Sequence, residues 1–215
     1  MTPTSARYSP REELANGLIH GVGILLSIIG LALLVGFASA RGSALDIVAG
    51  SVFGATLIMV YTTSTLYHAV SLPGVKQVLR KLDHIAIFLL IAGTYTPFTL
   101  AAIGGRLGWS LFALIWSLAV LGIVFELTFL RRWTWLAVGL YLGMGWIGMI
   151  AIKPLAAALD SGGLALVLAG GAAYTLGVIF YLWRRLPYSH AIWHVFVLVG
   201  SLLHFLAVLF YIVLA

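Results

Sequence analysis

Cysteine is absent from all 215 residues, which removes disulfides, thiolate zinc sites and cysteine nucleophiles together. Charge is nearly as scarce: 8% of residues are charged against 62% hydrophobic, and mean hydropathy is +1.12. A soluble chain of this size cannot cover itself with so few polar groups, so lipid must meet much of its apolar surface. Hydrolase signatures are missing too. There is no Gly-x-Ser-x-Gly, and His190-Ala-Ile-Trp-His194 lacks the glutamate of His-Glu-x-x-His. Neither a long repeat nor an inverted repeat is visible, and no gap between apolar runs has room for a soluble domain. Residues 1–215 therefore read as a single all-α membrane domain, with residues 1–16 a short cytoplasmic segment.

Acids are the rarer charge, six against twelve Lys and Arg, for a net charge of +6. The basic residues sit at the ends of apolar segments, where they orient helices and meet anionic headgroups. Membrane lipids are the expected partners and nucleic acid is not.

Seven apolar runs of about 20 residues, the length a bilayer crossing needs, divide the chain. They cover roughly 17–40, 45–70, 83–103, 109–130, 133–152, 164–183 and 190–214. Ser9-Pro10-Arg11-Glu12 reads as a helix start: Ser9 as N-cap, Pro10 in the first turn, Glu12 closing a capping box. Ala38-Ser39-Ala40 imitates a signal-peptidase site, but the run before it is longer than a signal core and follows acidic residues, so it reads as a retained span. Ser71-Leu72-Pro73-Gly74 marks a turn, after which Val75–Leu82 resumes a basic, partly apolar helix along the headgroups, ahead of a third span from Asp83. Gly104-Gly105 and Ser161-Gly162-Gly163 are loop signals, and Pro97 should kink the third span. Gly139 and Gly143, with Gly145 and Gly148 nearby, predict a smooth face for close helix packing in the fifth.

Seven crossings put the termini on opposite sides. With the N-terminus cytoplasmic, that side holds Arg7, Arg11, Lys76, Arg80, Lys81, Arg131, Arg132, Arg184 and Arg185, and the other only Arg41, Arg106 and Lys153. Positive-inside bias gives N-in, C-out.

That topology gathers the polar residues. Glu13, Asn16 and His20 open the first span; Ser64 and His68 end the second; Asp83 and His84 begin the third; Glu126 ends the fourth; His190 and His194 begin the seventh. All share one leaflet, while His204 lies ten residues, or about 15 Å of helix, beyond His194. His190 and His194 point the same way on a helix, and with His68 they offer three nitrogens, the number in zinc sites that keep a position for water. Zinc there could bring a water's pKa towards ~7. Asp83 is a carboxylate able to move that water's proton without binding the metal, and Ser64, one turn before His68, could orient water or a carbonyl. Three histidines would also take iron or manganese.

Glu13-x-x-Asn16-x-x-x-His20, Ser64-x-x-x-His68 followed by Asp83, and His190-x-x-x-His194 together resemble the motifs of the hemolysin III family. This family is the bacterial branch of the progestin and adipoQ receptors and is related to the alkaline ceramidases. The resemblance covers all seven spans. It implies a seven-helix bundle with N-in topology, zinc on His68, His190 and His194, and Asp83 and Ser64 beside the water. It also implies hydrolysis of a lipid amide or ester.

Other residues have plainer readings. Asn16 and His20 brace the bundle, Glu13 favours a helix N-terminus or joins Asn16 in a polar network, and His84 is interfacial. His204 makes a buried hydrogen bond or lines the same cavity. Glu126 is a solvated or paired helix-end charge, and Trp133, Trp183 and Tyr188 belong to interfacial belts. Rival functions are a receptor-like sensor with structural zinc, a cytolysin as the family name suggests, and an ion transporter with a histidine relay. A cytolysin usually needs a water-soluble state, and a relay needs polar residues across the whole membrane.

Overall fold

The computed structural model describes residues 8–128, 134–183 and 185–215, so Arg7, Arg131, Arg132, Trp133 and Arg184 of the charge and belt expectations lie outside the described residues, as does the end of the fourth run near Leu130. The helices are α1 (Pro10–Arg41), α2 (Ala44–Ala69), α3 (Pro73–Pro97), α4 (Gly105–Thr128), α5 (Thr134–Trp146), α6 (Ile152–Ala158), α7 (Ser161–Leu182) and α8 (Ser189–Val208). Seven helical stretches are long and apolar enough to cross a membrane: 10–41, 44–69, 73–103, 105–128, 135–158, 161–182 and 189–213. Neighbours in sequence are neighbours in space. α1 packs on α2, α2 on α3, α3 on α4, α4 on α5, α5 on α7, α7 on α8, and α8 returns to α1.

α1 shows which solvent the bundle is built for. Its buried face runs Asn16, His20, Gly23, Ser27, Gly30, Leu34, Ala38, the three- and four-residue spacing of a single helical stripe. Leu14, Leu18, Val22, Leu25 and Ile29 are exposed on the other side. Polar and small residues inside with aliphatic residues outside invert the soluble pattern and suit lipid. Small residues permit close approach. A Cβ on Gly23 would stand 2.6 Å from the Tyr61 ring of α2, a separation real side chains do not tolerate.

The capping box at Ser9 forms as its sequence predicts: the Ser9 amide donates to Glu12 Oε2 at 2.9 Å and the Glu12 amide to Ser9 Oγ at 3.3 Å. Ser43 and Asp46 close a second box at the start of α2. Val75–Leu82, by contrast, is not a separate surface helix. Pro73 occupies the first turn of α3, and the helix continues through Asp83 to Pro97, because nothing between them removes a backbone donor. Pro97 coincides with a change of winding: residues Phe98–Ile103 are π-helical, and Gly104 and Gly105 follow at φ 61° and 56°, where a Cβ would be strained. The fifth span is broken as well, with a 3₁₀ turn at Ile147–Ala151 between α5 and α6. Its glycines do not make the expected packing face. A Cβ on Gly139, Gly143 or Gly145 would meet nothing within 4 Å, and only Gly148 is approached, by Tyr95. The one close approach there is Tyr95, whose hydroxyl donates to the Gly145 carbonyl at 2.7 Å and accepts from the Gly148 amide at 2.8 Å.

Candidate metal centre

Five helix ends meet at one end of the bundle: the start of α1, the end of α2, the first half of α3, the end of α4 and the start of α8. His68, in the last turn of α2, is buried, as is His194 one turn into α8, while His190 is half-buried. One ring nitrogen from each falls in a group whose members all lie within 4.8 Å of one another. His68 Nε2 and His194 Nε2 are 3.2 Å apart. Two imidazoles on a tetrahedral zinc, with Zn–N of about 2.0–2.1 Å, put their nitrogens about 3.4 Å apart, so the spacing fits a shared ion. Asp83 is not in the group.

α1 supplies the group that orients the cluster. Glu13 Oε2 lies 2.6 Å from His68 Nδ1, its Oε1 lies 3.0 Å from Lys76 Nζ, and Asn16 Nδ2 stands 3.4 Å from the same His68 nitrogen. A carboxylate on Nδ1 favours the tautomer that donates there and leaves the Nε2 lone pair turned towards His194. Glu13 therefore does more than favour a helix N-terminus. Its i+3 and i+7 spacing to Asn16 and His20 put all three on one face, but that its partner is His68 depends on the α1–α2 register. Lys76 holds Glu13 and also donates to the carbonyls of Tyr67 at 2.8 Å and Val70 at 3.2 Å, capping the end of α2.

His20 packs its ring on His194 with centroids 3.7 Å apart and meets the Tyr61 edge at 5.1 Å, so it braces the cluster by contact. Tyr8, just before α1, stacks on His190 at 4.8 Å and 19°. The start of α8 is held from the same segment: the Tyr188 amide donates to Glu12 Oε1 at 3.0 Å, while Tyr188 itself adopts a left-handed φ of 57°. A non-glycine residue in that region is uncommon and marks a backbone held by its surroundings. Tyr8 and the Tyr188 turn carry no warning in the sequence, because both depend on contacts between chain segments far apart.

Asp83, His20, His190 and His194 line one cavity of about 220 Å³, which extends past Leu90, Thr94 and Val197 to His204. Ser64 is fully buried, in interaction range of the Asp83 carboxyl but without a well-formed hydrogen bond to it. His204 donates from Nε2 to the Val167 carbonyl at 3.0 Å and also lines the deep end of the cavity, so both of its readings hold. His84 is not a simple interfacial residue: its Nδ1 is 3.0 Å from Glu126 Oε1, and Glu126 is buried and paired rather than solvated. The exposed rings of Trp183 and Tyr188 suit an interfacial belt.

The family model described as Haemolysin-III related matches residues 8–205, from Tyr8 through every histidine of the cluster. The chain is 48% identical over 204 residues to the Hemolysin-3 homolog of Bacillus subtilis (strain 168), covering 95% of this chain and 96% of that one. It is equally identical over 202 residues to Hemolysin-3 of Bacillus cereus, covering 94% and 92%. A more distant relative, the human Monocyte to macrophage differentiation factor, is 27% identical over 218 aligned positions, covering 96% of this chain and 87% of that one. The chain belongs to the haemolysin-III related family of membrane proteins.

Proposed function

We propose that the chain is a zinc-dependent hydrolase of acyl-lipid amides or esters, working from the cytoplasmic leaflet of a bacterial inner membrane with its N-terminus inside. The observation that carries this reading is the grouping of three histidine nitrogens within 4.8 Å at the polar end of a largely apolar cavity that Asp83 also lines. His68, His190 and His194 would hold the ion, which supplies a Lewis acid and a water acidified to a pKa of about 7. The remaining steps belong to side chains of the chain. Glu13 fixes the His68 ring, and Asp83 takes the proton from the attacking water and returns it to the departing nitrogen or oxygen. Ser64 orients the Asp83 carboxyl or the substrate carbonyl, and the apolar walls receive the acyl chain and exclude bulk water. The orientation rests on the excess of Lys and Arg in segments at the histidine end.

The test is fatty-acid release from a panel of N-acyl and O-acyl lipids by purified protein in lipid nanodiscs. Asp83→Asn should lower the rate by about 10²–10⁴ without loss of metal, the range general acid–base groups contribute. Hydrolysis unchanged in His194→Ala would end the proposal. A second reading, a receptor-like sensor with structural metal, is favoured by one feature: the cluster joins α2 to α8 across α1, which packs on both. On that reading chelation unfolds the bundle and no substrate is turned over.

A further inference from the structure

The cavity has a charged rim as well as a histidine wall. Arg80 and Lys81 both line it and both are half-buried. Neither forms an ion pair with a carboxylate among the described residues, although Asp83 and Glu126 line the same cavity. Asp83 belongs to the reacting part of the cavity under the proposed function, and the other acids at this end of the bundle are committed elsewhere. Glu12 closes the α1 capping box and receives Tyr188, Glu13 lies between His68 and Lys76, and Glu126 is taken by His84. Lys76, the third cation of the same helix, shows the contrast, since it is used by Glu13 and two carbonyls. Half-buried cations left with no anion of the protein beside a cavity are able to receive one that arrives with a ligand.

We propose that Arg80 and Lys81 form a phosphate-headgroup subsite, so that the substrate class is a phosphate-bearing, acyl-chain amphiphile rather than a neutral one. This rests on the hydrolase reading for the ligand's role as substrate, but its binding does not depend on turnover. Geometry places the parts in order. Asp83 lies two and three residues beyond Lys81 and Arg80 on α3, an axial rise of about 3–5 Å. A phosphate held at the rim therefore puts a bond only a few atoms away beside Asp83, with the apolar tail running on past Leu90 and Val197. Arginine's planar fork suits a phosphate's oxygens, and lysine adds a second point charge. His84 lines the same cavity, and its Nδ1 takes up Glu126, so that this buried carboxylate already has a partner.

The test uses ether-linked probes, which have no ester or amide to cleave, so its failure is distinct from failure of the hydrolase reading. Oleyl ether glycerol phosphate, the oleyl glycerol ether without phosphate, and inorganic phosphate are each titrated against the full chain in nanodiscs of zwitterionic lipid. Binding is read by native mass spectrometry. The phosphate-bearing ether should bind at least about tenfold tighter than the neutral one, and Arg80→Gln/Lys81→Gln should erase that preference. Arg106→Gln, an exposed cation at the other end of α4 from Glu126, should leave it intact. If the glutamine pair fails to fold, Arg80→Lys/Lys81→Arg keeps both charges and should retain the preference. Equal binding of the two ethers, or an undiminished preference in a folded glutamine pair, overturns the proposal. Inorganic phosphate binding as tightly as the phosphate-bearing ether also overturns it, because the ligand would then be a free anion and not an amphiphile.

Discussion

Glutamate 13 is where the arrangement of the cluster can be weighed most directly. Its side chain is 17% exposed and the His68 ring is not exposed at all, so the 2.6 Å contact between them is poorly screened. Glu13→Gln keeps an oxygen able to accept from His68 Nδ1 but removes the charge that favours this tautomer. Loss of the hydrogen-bonded carboxylate behind a metal-binding histidine typically weakens metal binding about 10- to 100-fold. The isosteric change belongs at the low end, about tenfold or ~1.4 kcal/mol, and Glu13→Ala, which removes the acceptor as well, belongs near a hundredfold. Lys76→Met removes the other partner of the carboxylate without touching His68, and since Lys76 is 27% exposed its effect should be about threefold or less. The assay is zinc competition against a calibrated chelator on detergent-purified protein. Wild-type affinity in Glu13→Ala, beside a large loss in His68→Ala, would refute the idea that Glu13 positions the ring.

Three further expectations concern stability and are read by thermal unfolding in detergent. Gly23→Ala places a methyl group 2.6 Å from the Tyr61 ring and should cost about 1–3 kcal/mol as overpacking. Gly143→Ala meets nothing within 4 Å and should fall within about ±0.5 kcal/mol. His84→Ala strips the partner from Glu126, which is only 4% exposed, and should cost about 2–3 kcal/mol, below the value for a fully buried pair because His84 is partly open to solvent. The double variant His84→Ala/Glu126→Gln should recover part of that loss, and no recovery would argue against the pair.

The seven crossings are legible in the sequence because run length and the scarcity of charge report directly on the solvent of each segment. His190 and His194 are legible because their spacing is local to one helix. Glu13 on His68 and His84 on Glu126 are not, since each joins two helices whose rotation no sequence spacing fixes. Gly139 and Gly143 mislead because small residues license a neighbour without supplying one. Val75–Leu82 misleads because its charges suggest a surface helix, whereas backbone continuity from Pro73 carries it into α3. Tyr8 is silent for another reason: a residue before the first helix gains meaning only when the start of α8 is brought beside it.

Everything proposed for the site depends on His68, His190 and His194 sharing one metal ion. Elemental analysis of gently purified wild type, His68→Ala and His190→Ala, with Arg106→Gln carried through the same preparation, tests it most directly. About one zinc per chain in wild type and in Arg106→Gln, lost in both histidine variants, is the expected result. Wild-type protein without metal that takes up none on addition of zinc, or folded histidine variants that keep a full equivalent, would contradict it.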